Sequence, residues 1–248
     1  MKKIPQVSII LPNHNSHKFI KKTIRSVINQ NFYSWELIIV DDASNEKTKI
    51  VLKRIQRYKK IRIYWLSKNK GAGYCRNLAI KKSKSKYIAF IDSDDIWKKN
   101  KLKNQINFMK KNKYSFTYTN YETFGKKKKI IFSPKKFNFF DFIHNTSICT
   151  SSMIIERHIA KDVKFTNTKI CEDYFYKCGV LKKTKYAYCL NQILTKYQIR
   201  DNSLQNNYLK NFYWIWIINK NFNKLNFLNN LKSLFFISLN SLKKYGLK

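Results

Sequence analysis

Short apolar runs alternate with helical stretches through the first 100 residues, and this alternation restricts the possible folds most strongly. Apolar runs typical of buried strands occur at residues 7–11, 35–40, 61–66 and 88–91. Helical periodicity occurs between them, at residues 19–30, 47–58 and 71–82. Because strands that alternate with helices form right-handed crossovers, the pattern predicts an α/β fold with a mostly parallel central sheet flanked by helices.

The pattern is weaker after residue 98. It predicts a helix at residues 101–111, strands near 115–121 and 151–155, and a solvated hairpin or loop tip at 126–129. A further helix is predicted to begin at Glu172, and helical spacing returns from Asn206 to the end of the chain.

Polar residues follow the predicted strands of the first 100 residues. They are Asn13, Asp41, Asp42, Asn69 and the run Asp92-Ser93-Asp94-Asp95. Ligands of parallel α/β sheets bind at the carboxyl ends of the strands. We therefore expect these side chains to converge on a ligand site at one edge of the sheet.

The acidic run places three carboxylates directly after a buried strand, where each negative charge raises the cost of ionising the next. Mg²⁺ or Mn²⁺ would explain the crowding, because these cations are held by one or two carboxylates and a substrate's phosphates. A solvated turn explains the segment equally well, since Asp and Ser are common turn residues. The segment alone leaves both interpretations open.

The segment after the third strand combines a glycine turn, Gly71-Ala72-Gly73, with Arg76 one helical turn later. Glycine permits close approach of the backbone to a ligand, and a guanidinium can clamp phosphate oxygens. A surface salt bridge is the alternative role for Arg76. The glycines match neither a dinucleotide fingerprint nor a P-loop.

The net charge of +37 first suggests a nucleic-acid-binding protein. However, only seven of the 51 basic residues are arginine, the residue preferred for phosphate and base recognition. Lys, Asn, Ile, Phe and Tyr share A/T-rich codons, so a biased genome accounts for the excess of lysine. We therefore do not expect nucleic acid as a partner, whereas anionic membranes and acidic substrates remain open.

The five cysteines are scattered without a C-x-x-C pair, which suits neither a disulfide framework nor a zinc site. Pro5 and Gln6 interrupt the first apolar run, so no secretory signal is predicted. No run of about 18 apolar residues predicts a membrane-spanning helix. These features predict a cytoplasmic location.

Four motifs together carry a resemblance to a known family. They are Val7-Ser-Ile-Ile-Leu-Pro12-Asn-His-Asn, Ile38-Ile-Val-Asp41-Asp42-Ala-Ser, Asn69-x-Gly71-x-Gly73-x-x-Arg76-Asn77 and Phe90-Ile-Asp92-Ser-Asp94-Asp95. In order and spacing they resemble family-2 glycosyltransferases of the small bacterial polysaccharide-biosynthesis type. The resemblance covers about residues 5–100 and resumes over about 145–182. It implies the Rossmann-like GT-A fold.

The resemblance implies a donor pocket for a nucleotide sugar, a UDP-sugar in the family. Donor-binding residues would be Pro12, Asn13, Asp41, Asp42, Asn69, Gly71, Arg76, Asp92 and Ser93. Asp94 would be the direct ligand of Mn²⁺ or Mg²⁺ in a D-x-D motif, with Asp92 near the ribose or a metal-bound water.

The resemblance also assigns the acidic pair Glu172-Asp173. Asp173 would be the general base, supported by Glu172, because an acceptor hydroxyl must lose its proton as it attacks the anomeric carbon. From the residues alone, capping of a helix N-terminus explains the pair better. The implied enzyme is a metal-dependent inverting glycosyltransferase acting on a glycan or lipid-linked glycan in O-chain or capsule synthesis. The alternatives are a basic nucleic-acid-binding protein on a similar sheet and an inactive scaffold.

Two late segments complete the predictions. The loop Arg200-Asp-Asn-Ser203 resembles one that folds over the donor pyrophosphate, although Gln205 departs from the family pattern. We expect a catalytic domain at 1–201, divided into a donor half at 1–100 and an acceptor half at 101–201, and a helical extension at 202–248. Residues 206–248, rich in Lys and aromatic side chains, suit packing on the core, a dimer surface or peripheral contact with the anionic inner face of the plasma membrane.

Overall fold

The computed structural model describes residues 4–168, 170–200 and 208–245. Within these ranges one sheet contains the strands β1 (Val7–Asn13), β2 (Trp35–Asp41), β3 (Ile61–Trp65), β4 (Tyr87–Phe90), β5 (Ile96–Trp97), β6 (Phe116–Gly125), β7 (Ile130–Ile131), β8 (Lys136–Phe137), β9 (Ile154–Glu156) and β10 (Ala187–Ile199). The helices are α1 (Ile20–Ile28), α2 (Glu46–Ile55), α3 (Ala72–Lys82), α4 (Lys101–Asn112), α5 (Phe139–His144), α6 (Arg157–Asp162), α7 (Glu172–Thr184), α8 (Tyr208–Asn221) and α9 (Phe227–Tyr245).

The strands are ordered β3-β2-β1-β4-β9-β6-β10-β5, with β7 beside β6 and β8 beside β10. The first four strands of this order are parallel, and β9 runs antiparallel to both β4 and β6. As a result β6 and its parallel neighbour β10 point the same way as β1 and β4. The predicted α/β fold with a mostly parallel sheet is confirmed.

Alternate residues of the central strand β1 enter two separate cores. Ile9 lies in the core on the face of the sheet covered by α1 and α4. Ile10 lies in the core on the opposite face, together with residues of α3 and of the second half of the chain. Successive side chains of a strand point to opposite faces, so a run that is apolar at every position is buried on both. Each fully buried aliphatic side chain contributes about 1.5–3 kcal/mol.

The later strands depart from the prediction. The segment predicted as a strand at 151–155 begins with a 3-10 turn, Thr150–Ser152, and only then enters β9. The 13-residue strand β10 was not predicted, because its sequence has no regular alternation and its pairing with β6 shifts register between Leu190 and Thr195. The predicted hairpin tip at 126–129 does join two paired strands, β6 and β7.

The predicted C-terminal helical extension is confirmed as α8 and α9, whose Ile215, Ile218 and Ile237 join the core beside α5 and α7. Among the described residues, none of the helices combines the length and apolarity needed to cross a bilayer. Strands from both proposed halves share one sheet, and the boundaries at 100 and 201 remain predictions.

Candidate active site

The polar strand-end residues meet at one edge of the sheet, as expected. Asn13 at the end of β1 stands opposite Asp41 at the end of β2, and Phe90 at the end of β4 stands opposite Ile10. The acidic run begins two residues after the end of β4, at the same edge of the sheet as the loops after β1 and β2.

Asn13 and Asp41 form the inner support of this edge. The Asn13 side-chain amide donates to Asp41 Oδ1 at 2.6 Å, and Asn13 Oδ1 accepts from the Ser16 hydroxyl. The hydroxyl and backbone N–H of Ser44 also donate to Asp41, whose side chain is 0% exposed. Both carboxylate oxygens of Asp41 accept hydrogen bonds inside the protein, so Asp41 supports this edge of the sheet, and its predicted contact with a donor remains a prediction. Pro12, next to Asn13, is half-buried at the same edge.

Asp42 holds the glycine turn before α3. Its two oxygens accept from the backbone N–H groups of Lys70 at 2.6 Å and Gly71 at 2.8 Å. Gly71 has φ of +86°, which favours glycine at this position. Asn69 is exposed beside this turn. Asp42 thus determines the shape of the loop, and Asn69 is exposed to solvent together with Lys70.

Gly73 packs closely against another segment of the protein, near Thr166. A Cβ atom at this position would lie 2.3 Å from the carbonyl oxygen of Thr166. Glycine is therefore required here for the packing of α3 against the segment that precedes α7.

Arg76 joins the two acidic motifs. Its terminal nitrogens contact Asp92 Oδ1 at 2.7 Å and Glu172 Oε1 at 2.8 Å, and it is 4% exposed. Burial lowers the pKa of Arg76, but the charges of Asp92 and Glu172 outweigh burial and hold that pKa above its ordinary value. This position differs from the predicted phosphate clamp, because the buried guanidinium pairs with two partly buried carboxylates instead. The same burial raises the pKa of Glu172, an effect that Arg76 opposes.

Asp94 contacts Arg200, the residue that follows β10. Arg200 Nη2 lies 2.5 Å from Asp94 Oδ2, and its guanidinium stands 5.1 Å from the ring centre of Phe19. Burial raises the pKa of Asp94 to about 6, with a smaller contribution from Asp92, although Arg200 acts in the opposite direction. The remainder of the predicted loop, Asp201 to Ser203, and Gln205 lie outside the described residues.

Asp95 has a structural role that sequence reasoning missed. Its carboxylate accepts from the Ser151 hydroxyl and from the backbone N–H of Gln198 in β10. Ser151 also accepts from the backbone N–H of Asp92 and, through its carbonyl, from the indole of Trp97. The Ser93 carbonyl accepts from Thr23 in α1. These bonds hold the acidic loop against α1, β10 and the Thr150–Ser152 turn.

The remaining acidic groups of this loop fit a divalent cation. Asp94 and Asp92 keep 11% and 30% of their side chains exposed, while Asp95 is buried and occupied. Burial is the main cause of the raised pKa of Asp94, and the charge of Asp92 adds to it. Across the described residues no cluster of three or more metal-binding side chains occurs. One or two carboxylates plus a substrate's phosphates is the usual arrangement for Mg²⁺, so this donor set suits a cation that binds together with a diphosphate.

Asp173 forms an ion pair with a lysine of its own helix and remains partly accessible to solvent. Lys177 Nζ lies 2.7 Å from Asp173 Oδ2, Thr150 donates to the same oxygen at 2.9 Å, and 33% of the Asp173 side chain is exposed. Burial raises the pKa of Asp173, but Lys177, Arg76 and Thr150 together outweigh it and hold this pKa well below its ordinary value. Lys177 was not predicted, although its spacing of four residues from Asp173 on one helix face could have indicated it.

Comparisons with known proteins show which family the chain resembles. A model described as Glycosyl transferase family 2 matches residues 8–175. TuaG of Bacillus subtilis, whose name refers to teichuronic acid biosynthesis, is 32% identical over 229 residues, covering 90% of this chain and 91% of that protein. WfgD of Escherichia coli, a UDP-Glc:alpha-D-GlcNAc-diphosphoundecaprenol beta-1,3-glucosyltransferase, is 33% identical over 215 residues, covering 85% of this chain and 83% of that protein.

Two solved structures show a similar fold. TarS of S. aureus in complex with UDP-GlcNAc matches with a TM-score of 0.75 at 18% identity, covering 96% of this chain and 73% of that chain. The mannosyltransferase PcManGT of Pyrobaculum calidifontis in complex with GDP-Man and Mn²⁺ matches with a TM-score of 0.72 at 11% identity, covering 95% of this chain and 70% of that chain. At these identities the likeness concerns the fold alone, and it confirms the predicted GT-A architecture.

Proposed function

The chain belongs to glycosyl transferase family 2, and we propose that it moves the sugar of a nucleoside-diphosphate sugar, with inversion at the anomeric carbon, to a hydroxyl of a glycan or lipid-linked glycan. The observation that carries this proposal is the position of Arg76, which joins the acidic loop after β4 to the acidic pair that opens α7. The acidic loop after β4 suits the leaving diphosphate and its cation. The acidic pair at the start of α7 suits the attacking hydroxyl.

The donor side is assigned to the loops after β1, β2 and β4. We assign donor contacts to Pro12, Asn69, Gly71 and Ser93 in these loops. Hydrogen bonds of Asn13, Asp41, Asp42 and the Ser93 carbonyl support the shape of the loops. UDP is the proposed nucleotide, supported by the UDP-GlcNAc complex of TarS and by the UDP-Glc donor in the name of WfgD.

The proposed cofactor is Mn²⁺ or Mg²⁺, held by Asp94 with help from Asp92. When bound, such a cation neutralises the charge that develops on the departing diphosphate. The chain's own residues prepare this site. Arg76 holds Asp92 in place through an ion pair. Arg200 forms an ion pair with Asp94 and could exchange it for a diphosphate oxygen. A guanidinium is suited to that exchange because it pairs with carboxylate and phosphate alike.

The acceptor side is assigned to Asp173. An acceptor oxygen forms its bond to the anomeric carbon while the bond from that carbon to the diphosphate oxygen breaks, and the electron pair leaves with the diphosphate. The hydroxyl proton passes to the carboxylate of Asp173, which Lys177 and Thr150 hold in place. Glu172 supports this arrangement through Arg76.

The proposed acceptor is a lipid-linked glycan used in the synthesis of a cell-surface polysaccharide, either O-chain or capsule. The names of WfgD and TuaG support it, because they refer to a diphosphoundecaprenol-linked acceptor and to teichuronic acid biosynthesis. With this acceptor the protein would work on the inner face of the plasma membrane, through contact of residues 206–248 with anionic lipid. The acidic ligand edge speaks against the nucleic-acid-binding alternative, because clustered carboxylates repel a phosphate backbone.

A donor screen tests the proposal. We expect one UDP-sugar, in the presence of Mn²⁺, to raise the Tm of the full chain by about 5 °C at saturating concentration. That donor should then be transferred to a synthetic GlcNAc-diphosphoprenol, with NMR showing a β product from an α-linked donor. Retention of the α configuration would overturn the inverting mechanism, and a GDP-sugar that replaced every UDP-sugar would overturn the nucleotide assignment.

A further inference from the structure

The last helix, α9, packs on the protein through its polar face. Ser233 is 0% exposed and donates to the carbonyl of Ile143 in α5 at 2.6 Å. Asn230 is also buried and donates to the carbonyl of Trp216 in α8, while Asn240 donates to the carbonyl of His144. The inward face of α9 is therefore held largely by hydrogen bonds, with Ile237 as its buried apolar side chain.

The opposite face of α9 is apolar and exposed. We call it the α9 stripe, which consists of Leu228, Leu231, Phe235, Leu239 and Leu242. These positions recur every three or four residues, so they line one side of the helix. Exposure within the stripe ranges from 67% at Leu228 to 37% at Leu239. Large contiguous apolar surfaces of this kind mark interaction sites.

Basic residues border the stripe. Lys232 and Lys243 are exposed along its side. Residues 202–248 contain no Asp or Glu. An apolar stripe beside lysines matches an anionic lipid surface, in which acyl chains cover the apolar side chains and headgroups meet the ammonium groups. A second copy of the same face would bring like charges together, so a dimer through this surface is less well matched.

The tip of the hairpin between β6 and β7 extends this surface. Lys126 to Lys129 are all exposed, and Phe132 just beyond β7 is exposed as well. Lys129 Nζ donates to the carbonyl of Lys243 at 2.7 Å, which joins the tip to the last turns of α9.

The hairpin also links the surface to the active site. The backbone N–H of Lys126 donates to the carbonyl of Ile199 at the end of β10, and the next residue, Arg200, contacts Asp94. The basic tip thus lies at the same edge of the sheet as the donor pocket. A bilayer bound to this surface would therefore lie at the edge of the sheet that carries the proposed site of transfer.

We propose that the α9 stripe, together with the hairpin tip at 126–129, docks the protein on a bilayer that contains anionic lipid. This inference specifies the surface and the lipid chemistry behind the proposed membrane contact, and it does not depend on the transfer reaction. The apolar side chains enter the headgroup boundary, and the lysines attract the anionic headgroups.

Vesicle co-sedimentation of the full chain tests the docking surface. Wild type should pellet with vesicles of phosphatidylglycerol and phosphatidylcholine, and should bind pure phosphatidylcholine at least about tenfold more weakly. The variant L231S/F235S should lose about tenfold or more of its binding to the anionic vesicles. The variant K232Q/K243Q should lose about tenfold and show a reduced dependence on salt.

Two controls separate docking from other effects. The variant Y33S/I50S removes exposed apolar side chains outside the stripe and should bind vesicles like wild type. Asp94→Asn should lose transfer and keep vesicle binding, so failure of the proposed reaction is distinguishable from failure of docking. Equal binding by L231S/F235S and wild type overturns the proposal. A concentration-dependent dimer in light scattering that L231S/F235S abolishes also overturns it, because a second copy would then occupy the stripe.

Discussion

Two acidic clusters face each other across Arg76, and one carboxylate of each, Asp94 and Asp173, shows a pKa shift in the opposite direction. Burial raises the pKa of Asp94 to about 6, whereas Lys177, Arg76 and Thr150 overcome burial at Asp173 and hold its pKa well below the ordinary value. Asp173 has a buried cation within its own helix, whereas the partner of Asp94 among the described residues is the exposed Arg200. Asp94, whose charged form is disfavoured by burial, would gain from an external cation. Asp173 stays ionised, which a general base requires.

The largest effect should come from removing either carboxylate. Asp94→Asn and Asp173→Asn should each lower kcat about 10³-fold or more, because one loses a cation ligand and the other loses the base. They should differ in binding: Asp173→Asn keeps the stabilisation by Mn²⁺ and nucleotide sugar in a thermal-shift assay, and Asp94→Asn loses it. Asp162→Asn, at an exposed carboxylate on α6, is the matched control. Near-normal turnover in Asp173→Asn would contradict the assignment of the base.

Breaking the connection between the clusters should be the next largest effect. Arg76→Leu leaves two carboxylates without their buried cation and should cost about 3–5 kcal/mol in the free energy of unfolding measured with urea. Arg62→Leu, which breaks the partly exposed pair with Glu36, should cost about 1 kcal/mol or less. Equal losses in the two variants would show that Arg76 does not join the clusters energetically.

Removing the internal cation of the second cluster should make the clusters more alike. Asp173 has a lowered pKa when folded, so it contributes stability above its unfolded pKa of about 3.9, and this contribution is lost as pH falls through the folded value. Lys177→Met should raise the pKa of Asp173 and move the acid limb of kcat/KM upward by at least about one pH unit. Lys183→Met, which removes an exposed partner of Asp162, should leave the pH profile unchanged. An unshifted acid limb in Lys177→Met would mean that Asp173 is not the titrating base.

The smallest effect concerns stability at the first cluster. The pKa of Asp94 is about 6 in the folded protein against about 3.9 unfolded, so its carboxyl favours folding below the lower value and this favourable contribution is lost as pH rises through the higher one. In buffer free of divalent cations, Asp94→Asn should therefore raise the free energy of unfolding at pH 7 by about 1–2 kcal/mol, a gain that disappears near pH 4. A loss of stability at pH 7 would mean that the pair with Arg200 outweighs the burial of Asp94.

The strand-end motifs were predictable from the sequence because their signal is local. Apolar runs at Val7–Asn13 and Tyr87–Phe90 reveal buried strands, and the polar residues that follow must then lie at the carboxyl edge of a parallel sheet. The helices of the first 100 residues follow from their periodicity in the same way. Strand β10 could not be found like this, because its shifted register with β6 removes the regular alternation.

Helix α9 shows the limit of periodicity. Its pattern predicts a helix, and by the usual rule Leu231 and Phe235 would face the core. The structure turns Ser233 and Asn230 inward, because carbonyl groups at the end of α5 and within α8 accept their hydrogen bonds. The orientation of the helix therefore depends on groups about 14 to 90 residues away in the chain.

The sequence by itself determined the α/β fold, the edge that carries the polar loops and the two acidic motifs. Those features depend on residue spacing within single segments. Only the tertiary structure decided which carboxylates are supports and which are available for chemistry. Asp95 is engaged by Gln198, 103 residues away, and Arg76 reaches Glu172, 96 residues away. The charge state of a buried carboxylate depends on the partners that folding brings to it, and no local pattern specifies those partners.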